Sequence, residues 1–272
     1  MKQHIKRWIT AFVLGPIVLW ILIKGSTLLF AVLISAVAIL AIREYLRIIF
    51  GNDEKSISNT IKIISYTVSM TLIISACLGS LEILFLILAV NLMALSIFVL
   101  SRFADNHGIF DIISKQVLGV VYIPVSLSLL IFIKEFDMGT FWIIWLLIVI
   151  FASDTGAFYS GTFFGKHKLA PNISPNKTIE GSLGGTAASM VMGFVSCQLF
   201  FSDLSLSLLT IPASFMLSIA GQIGDLFESA MKRASNIKDS GRILPGHGGM
   251  LDRIDGLLLA IPVLYVYLVF VL

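Results

Sequence analysis

The sequence is poor in cysteine and in charge. Its two cysteines, Cys77 and Cys197, each lie inside an apolar run, which excludes a disulfide framework and a cysteine-based metal site. Lys, Arg, Asp and Glu make up 13% of the 272 residues, where a soluble domain has about 25%. The shortage of charge excludes a separate soluble domain, and no nucleic-acid partner is expected.

Long apolar segments are abundant in the sequence instead. Apolar residues make up 57% of the chain, and the mean hydropathy is +0.97. A spanning helix needs about 20 mostly apolar residues, and nine segments approach this length. These segments are Trp8–Ile23, Thr27–Ile42, Ile63–Leu78, Ile83–Leu100, Val117–Ile133, Thr140–Tyr159, Leu183–Phe201, Leu206–Phe227 and Leu257–Leu272. The sequence therefore predicts an all-α fold, a polytopic transmembrane helical bundle of about nine spanning helices.

The basic residues predict how these helices are oriented. With the N-terminus in the cytoplasm, 17 of the 19 Lys and Arg residues fall in cytoplasmic segments, and only Lys24 and Lys134 fall outside. Cytoplasmic loops of membrane proteins carry such an excess. We therefore expect a cytoplasmic N-terminus and two charged cytoplasmic loops, near 161–180 and 228–255.

One stretch near the C-terminus concentrates the charge. The segment 221–256 holds ten of the 35 charged residues. Charge beside a bilayer is costly, and bound metal ions or phosphates would account for it. If the eighth span stays helical past Asp225, then Asp225, Glu228, Ser229 and Lys232 share one face. The carboxylates would lie near the membrane edge and the ammonium further into the cytoplasm. This order suits a metal ion bound by the carboxylates and a phosphate bound on its cytoplasmic side.

A second acidic pair begins the last span. Asp252 and Asp255 repeat the i, i+3 spacing, and two acidic pairs on neighbouring helices predict an oxygen cage for Mg²⁺, which shares its other ligands with phosphate and water. Gly248 and Gly249 precede this pair, and glycines let backbone N–H groups approach an anion closely. His247 could bind a phosphate or stabilise the turn, and the sequence does not decide between the two.

An acid and a polar loop also mark the end of the sixth span. Asp154 lies in an otherwise apolar helix, where an acid either has a function in the bundle interior or forms a structural pair with Lys or Arg. Ser174, Lys177 and Thr178 in the following loop could grip a phosphate, although the bias of basic residues towards the cytoplasm also accounts for Lys177. Glu180 suits the start of the next helix, because the helix dipole favours a negative charge there.

Taken together, these residues resemble the long motif of the phosphatidate cytidylyltransferase, or CDP-diacylglycerol synthase, family. The similarity is specific over roughly 150–256 and only general before that. The matching positions of the long motif are Ser229, Met231, Lys232, Arg233, Lys238, Asp239, Gly241, Pro245, His247, Gly248, Gly249, Met250, Asp252, Arg253, Ile254 and Asp255. The resemblance implies a nucleotidyltransferase that transfers CMP from CTP to phosphatidic acid, giving CDP-diacylglycerol and pyrophosphate for phospholipid biosynthesis.

The resemblance also implies roles for individual residues. Catalysis would involve Asp225, Lys232 and Asp252. The metal ligands would be Asp225, Asp252, Asp255 and Glu228. Substrate binding would involve Ser174, Lys177, Thr178, Ser229, Arg233, Lys238, His247, Gly248, Gly249 and Arg253. Further candidates are Asp154, Asp239 and Glu180. The implied cofactor is Mg²⁺, with a second, monovalent cation such as K⁺ left open.

The expected organisation divides the chain at residue 150. Helices in 1–150 would provide the scaffold, lipid access and dimer contacts, and 151–272 would carry the catalytic helices and cytoplasmic loops. The expected partners are CTP, phosphatidic acid and the bilayer, with a homodimer as a family expectation. We expect a multi-pass protein of a bacterial cell membrane, with its active site at the cytoplasmic face.

Two other activities fit parts of the pattern. A CTP-dependent polyprenol or dolichol kinase uses the same nucleotide but transfers its γ-phosphate. The full His-Gly-Gly-x-x-Asp-Arg-x-Asp motif favours the cytidylyltransferase over this kinase. An ion-coupled transporter would use Asp154 and Asp225 as intramembrane acids, but the sequence shows no inverted repeat.

Overall fold

The computed structural model describes residues 15–51, 59–101, 109–241, 243 and 248–271. Within these residues it contains ten α-helices, a π-helical turn at Val121–Val125 and two short strands. The helices are α1 (Gly15–Lys24), α2 (Thr27–Phe50), α3 (Asn59–Cys77), α4 (Leu81–Leu100), α5 (Ile109–Val120), α6 (Ser126–Glu135), α7 (Gly139–Phe164), α8 (Ile179–Phe201), α9 (Leu204–Ala234) and α10 (Leu251–Phe270). The strands are β1 (Lys168–Ala170) and β2 (Ser174–Thr178).

Eight helical segments are long and apolar enough to cross a membrane. They are α2, α3, α4, the continuous run Phe110–Glu135, α7, α8, α9 and α10. The all-α polytopic fold is therefore confirmed. Helix α1 is shorter, and the first seven residues of the span predicted from Trp8 lie outside the described residues. Many large apolar side chains are exposed, among them Leu28, Phe85 and Leu100, as expected of helices that face lipid.

The chain forms two compact units. The first comprises Met1–Glu135 with Asp239–Arg253, and the second comprises Phe136–Lys238 with Ile254–Leu272. We predicted one boundary at residue 150. By contacts, 136–150 falls in the second unit and 239–253 in the first, where Ser240 and Leu251 contact Glu44 on α2. The predicted division of roles at residue 150 stays a prediction.

In the first unit, α3 packs against α2, α4 and α6. Val68, Leu72, Leu84 and Val120 form a buried apolar cluster there. The one polar residue in the centre of α4, Asn91, exchanges two amide hydrogen bonds with Gln116, at 3.2 and 3.3 Å. This exchange satisfies both buried amides, which would otherwise be costly in an apolar interior.

In the second unit, α8 packs closely against α7 and α9. Glycines make the contact with α7 possible. A Cβ added to Gly156 would lie 2.5 Å from the Cβ of Ala188, and one added to Gly185 would lie 2.6 Å from the carbonyl oxygen of Ser153. Small residues allow such close approach between membrane helices.

Helix α7 continues beyond its predicted end at Tyr159 and reaches Phe164. Asp154 therefore lies ten residues before the end of the helix, about three turns, where we predicted about a turn and a half. The polar residues Ser160 and Thr162 are accommodated in the helix, and the Thr162 hydroxyl donates to the Phe158 carbonyl oxygen at 2.7 Å. Asp154 is consequently deeper along the span than predicted.

A short hairpin joins α7 to α8, where we predicted a loop. Strands β1 and β2 are antiparallel, with Lys168 opposite Thr178 and Ala170 opposite Ser174. Glu180 anchors the start of the hairpin, because its carboxylate accepts from the backbone N–H of His167 and lies 2.6 Å from the Nδ1 atom of the same residue. The predicted position of Glu180 in the first turn of the next helix is confirmed.

Candidate active site

A cavity of about 560 Å³ lies in the second unit, among α7, the hairpin, α8 and α9. Asp154, Lys177 and Asp225 provide charged groups in its lining, and Phe158 and Leu169 provide apolar surface. A volume of this order is typical of small-molecule sites. A lining that is charged in one part and apolar in another suits a ligand with a charged head and an apolar body.

Lys177 and Asp225 form an ion pair in this cavity. The Lys177 Nζ lies 2.5 Å from Asp225 Oδ2, and their side chains are 26% and 37% exposed. Helix α9 continues to Ala234, so it is helical past Asp225 as predicted. The Ser229 hydroxyl, one turn further on, donates to Asp225 Oδ1 at 3.5 Å. Lys177, Ser229 and Asp225 are thus brought together; the sequence predicted a shared helix face for Asp225 and Ser229 but not the contact with Lys177.

Two further acids lie within electrostatic reach of Asp225. Asp154 and Asp255 each interact with the charge of Asp225, and Asp255 also interacts with that of Asp154. Asp255 Oδ1 accepts from the N–H of Gly256 at 2.9 Å. Carboxylates that interact in this way repel one another when ionised, so they favour cations nearby, and Lys177 provides one positive charge.

These acids fit a hard cation that is only partly held by protein. Among the residues that the structure describes, no three His, Cys, Asp or Glu side chains converge closely enough to hold a metal ion by themselves. Mg²⁺ takes only one or two carboxylates in many sites and completes its shell with water and substrate phosphates. Carboxylate oxygens of Asp154, Asp225 and Asp255 are suitable donors for such an ion. The predicted sharing of one ion by Asp225 and Asp252 stays a prediction.

An ion pair on α9 joins Glu228 and Lys232. Lys232 forms an ion pair with Glu228 one turn earlier on α9, and the Glu228 side chain is fully buried. We predicted Glu228 as a metal ligand and Lys232 as a catalytic group above the metal. The ion pair provides the nearby cation that a carboxylate so deeply buried requires, and both predicted roles stay predictions.

A polar network fixes the register of the helices that line the cavity. Gln222 on α9 accepts from the Ser182 hydroxyl, and its amide nitrogen donates to the hydroxyl oxygens of Thr186 and Ser218, at 3.2 and 3.1 Å. Ser218 in turn shares a 2.8 Å hydrogen bond with Ser153 on α7. We did not predict that Gln222 and Ser182 line the cavity. The helical spacing of these polar residues within apolar spans could have indicated that they face one another inside the bundle.

The remaining predicted residues of the second unit lie around this cavity or on the surface. Thr178 is buried and caps α8, because its hydroxyl accepts from the N–H of Gly181 at 3.1 Å. Arg233 Nε donates to the carbonyl oxygen of Ile173, at 3.3 Å, and so ties α9 to the hairpin. Ser174 is partly buried in β2, and Lys238 is exposed.

The glycine-rich segment, 239–253, belongs to the first unit. The Asp252 carboxylate accepts hydrogen bonds from backbone N–H groups of this segment. The Asp252 carboxylate accepts from the N–H of Ser240, at 3.0 and 3.3 Å, and from the N–H of Gly249, at 2.9 Å. We predicted that the N–H groups of Gly248 and Gly249 would approach a substrate anion. For Gly249 this is corrected, because its N–H already donates to an anion of the protein itself.

The other predicted residues of this segment are Gly248, Asp239, Arg253 and His247. Gly248 has φ +83°, a backbone conformation that favours glycine. Asp239 and Arg253 are exposed. His247 lies outside the described residues.

Glu44 is a functional candidate for which the sequence favours an interfacial anchor over a functional role. It lies on α2 with 3% of its surface exposed. Its Oε2 accepts from the Ser240 hydroxyl at 3.0 Å and from the N–H of Leu251 at 2.8 Å. In the sequence, Glu44 stands between Arg43 and Tyr45 at the end of the second predicted span, which is typical of an interfacial anchor, so nothing local distinguished it.

Comparison with known proteins identifies the family. The sequence model of the Cytidylyltransferase family matches residues 5–271. A phosphatidate cytidylyltransferase of Staphylococcus haemolyticus (strain JCSC1435) is 36% identical over 97% of this chain and 98% of its own. Proteins of the same name from Staphylococcus aureus (strain COL) and Bacillus subtilis (strain 168) are 38% and 42% identical, over 67% and 59% of this chain and 68% and 60% of their own. The chain therefore belongs to the cytidylyltransferase family of multi-pass bacterial membrane enzymes.

Proposed function

We propose that this protein is a phosphatidate cytidylyltransferase, which transfers CMP from CTP to phosphatidic acid. The observation that carries the proposal is the cavity of the second unit, where Lys177, Asp154 and Asp225 lie beside apolar surface from Phe158 and Leu169. A relative that bears this enzyme's name matches nearly the whole chain. Both substrates are polyanions, and one of them carries acyl chains.

The reaction needs positioning more than proton transfer. A phosphate oxygen of phosphatidic acid forms a bond to the α-phosphorus of CTP. The bond from that phosphorus to the α–β bridging oxygen breaks, and pyrophosphate leaves with the electron pair. The attacking oxygen is already ionised at neutral pH, so no side chain has to act as a strong base. Catalysis then depends on holding the two phosphates in line and offsetting their charge.

Lys177 is placed to bind phosphate oxygens in this cavity. Its ammonium has three donors and is partly exposed there. Charge-assisted hydrogen bonds to phosphate are among the stronger ones in proteins. The apolar surface of Phe158 and Leu169 would contact the acylglycerol part of the lipid substrate. Phe158 is 68% exposed and lies within the span α7, so it is open to the acyl region of a membrane.

The cofactor that we propose is Mg²⁺, held by Asp225 with Asp154 and Asp255 nearby. When bound, Mg²⁺ neutralises phosphate charge and polarises the phosphoryl group that reacts. The residues themselves provide oxygen donors and an excess of negative charge that a cation offsets. A second, monovalent cation and a homodimer stay predictions from the family resemblance.

We also propose that this cavity faces the cytoplasm. CTP is made and used in the cytosol, and the loop that contains Lys177 carries three of the basic residues assigned to the inside: Lys166, Lys168 and Lys177. The lipid substrate would then enter from the inner leaflet.

Position-specific labels in CTP test the proposed reaction. Purified protein is incubated with phosphatidic acid, Mg²⁺ and CTP labelled at either the α- or the γ-phosphate, and the lipids are separated by thin-layer chromatography. We expect the α-label in the lipid and the γ-label in pyrophosphate. A γ-label in the lipid would identify a CTP-dependent lipid kinase instead, and no lipid label from either nucleotide would contradict both activities.

A further inference from the structure

Glu44 contacts a segment that lies 196 residues away in the sequence. The contact is local to the first unit, where α2 carries Glu44 and the segment runs from Ser240 to Asp252. A carboxylate with 3% exposure loses most of its hydration, and only strong hydrogen bonds offset that loss. The donors that it has gained are the Ser240 hydroxyl and the Leu251 N–H. Glu44 therefore joins the two ends of the segment.

Every polar group of Ser240 forms a hydrogen bond. Its hydroxyl donates to Glu44, and the same oxygen accepts from the N–H of Asp252 at 3.3 Å. Its carbonyl oxygen accepts from Arg47, one turn after Glu44 on α2. Its N–H donates to the Asp252 carboxylate. Two side chains of α2 and one of α10 thus fix a single residue of the loop.

The glycines of the segment pack against the same carboxylate. A Cβ at Gly241 would overlap Glu44 Oε1, and a Cβ at Gly249 would overlap Glu44 Oε2 and the Ser240 hydroxyl. Glycine is therefore required at both positions to admit Glu44. This requirement explains two glycines of the motif without any contact to a substrate.

We propose that Glu44 is a positioning residue that holds Ser240 and 248–252 in the conformation seen here, and that cytidylyl transfer depends on this. The second half of the proposal rests on the proposed function, because the segment belongs to the motif that the chain shares with cytidylyltransferases. Glu44 acts through Ser240 and Leu251, and it would set the direction of the Asp252 side chain through the same contacts.

Hydrogen exchange read by mass spectrometry tests the positioning without any substrate. The variants are Glu44→Ala, Glu44→Gln and Ser240→Ala, with Glu82→Gln as the matched control, because Glu82 is an exposed carboxylate of the same unit. We expect peptides that include 248–252 to exchange roughly tenfold faster in Glu44→Ala, since a hydrogen bond to a charged group is lost. Glu44→Gln keeps an acceptor for the Leu251 N–H, so its exchange should be intermediate. Unchanged exchange in 248–252 in Glu44→Ala or, if that variant does not fold, in Ser240→Ala would overturn the proposal.

Transfer kinetics on the same variants test whether the reaction depends on the segment. We expect kcat/KM to fall about ten- to a hundredfold in Glu44→Ala, with partial recovery in Glu44→Gln. The double variant with Ser240→Ala should lose less than the two single losses combined, because the two side chains share the hydrogen bond from Ser240 to Glu44. Losses that add independently, or an equal loss in Glu82→Gln, would contradict a positioning role. If the wild-type protein transfers no cytidylyl group, the proposed function fails, and the exchange result still decides whether Glu44 holds the segment.

Discussion

The Lys177 ammonium lies 2.5 Å from the Asp225 carboxylate, and this ion pair connects the hairpin to α9 inside the cavity. The pair brings together the two groups that a phosphate-transferring site needs, a cation for phosphate and an acid for a metal ion. Because the two side chains remain partly exposed, both stay accessible to a ligand in the cavity.

Replacing Lys177 with alanine should lower activity much more than replacing Lys168. Both lysines lie on the hairpin, but Lys168 is exposed on β1 and is absent from the cavity lining. A charge-assisted contact is worth roughly 1.5–3 kcal/mol, so we expect a loss of about ten- to a hundredfold in kcat/KM for Lys177→Ala. The measurement is initial rate against CTP concentration. Equal, small losses in both variants would leave Lys177 with a role in membrane orientation only.

Lys232→Ala should lose stability together with activity. Lys232 pairs with the fully buried Glu228, and removing one member of a buried pair costs about 3–5 kcal/mol. We expect a clear fall in Tm, measured in detergent, and a partial return of Tm in the double variant Glu228→Gln/Lys232→Met. An inactive Lys232→Ala protein with an unchanged Tm would instead support the catalytic role predicted from the sequence.

Gly185→Val should disrupt the packing of α7 on α8. A side chain at Gly185 would meet the carbonyl oxygen of Ser153 and the side chain of Ala157, and overpacking of this kind costs about 1–3 kcal/mol. We expect a lower Tm and lower activity, since Ala157 also lines the cavity. Ala187→Val, on the exposed side of the same helix, is the control and should leave both nearly unchanged.

Cysteine labelling in intact cells tests the predicted orientation. With Cys77 and Cys197 replaced by serine, single cysteines are placed at Asn172 and at Asp137, both exposed. The excess of basic residues predicts that Asn172 lies inside and Asp137 outside. An impermeant thiol reagent should therefore label only the Asp137 position before lysis. Labelling of Asn172 from outside would overturn the orientation and the cytoplasmic cavity.

Hydropathy and helical spacing predicted the helices well, because these properties are local. The eight long helices fall where apolar runs were found, and α9 continues past Asp225 as the spacing of its polar residues indicated. The end of α7 was misplaced, since a residue such as Thr162 is compatible with a helix when its hydroxyl bonds to the backbone. The hairpin was missed because strands of three and five residues give almost no periodic signal.

Tertiary partners could not be predicted from the same patterns. The i, i+4 spacing of Glu228 and Lys232 is compatible with a shared metal-phosphate site and with a buried pair, and the spacing alone did not indicate that Glu228 is fully buried. The acceptors for the Gly249 N–H and the Ser240 hydroxyl depend on a contact between α2 and a segment far along the chain. No local feature of Glu44 indicated that contact.

The central claim is that the cavity containing Asp225 is the active site. The most direct test measures how much α-phosphate label the Asp225→Asn variant transfers from CTP to lipid. Asparagine keeps the shape of the side chain and removes the charge that pairs with Lys177 and favours a cation. We predict a monodisperse protein that has lost nearly all lipid labelling and any Mg²⁺-dependent increase in Tm, next to a wild-type protein that shows both. A monodisperse Asp225→Asn protein that labels the lipid at a near-normal rate at ordinary Mg²⁺ concentrations would contradict the assignment of this cavity as the active site.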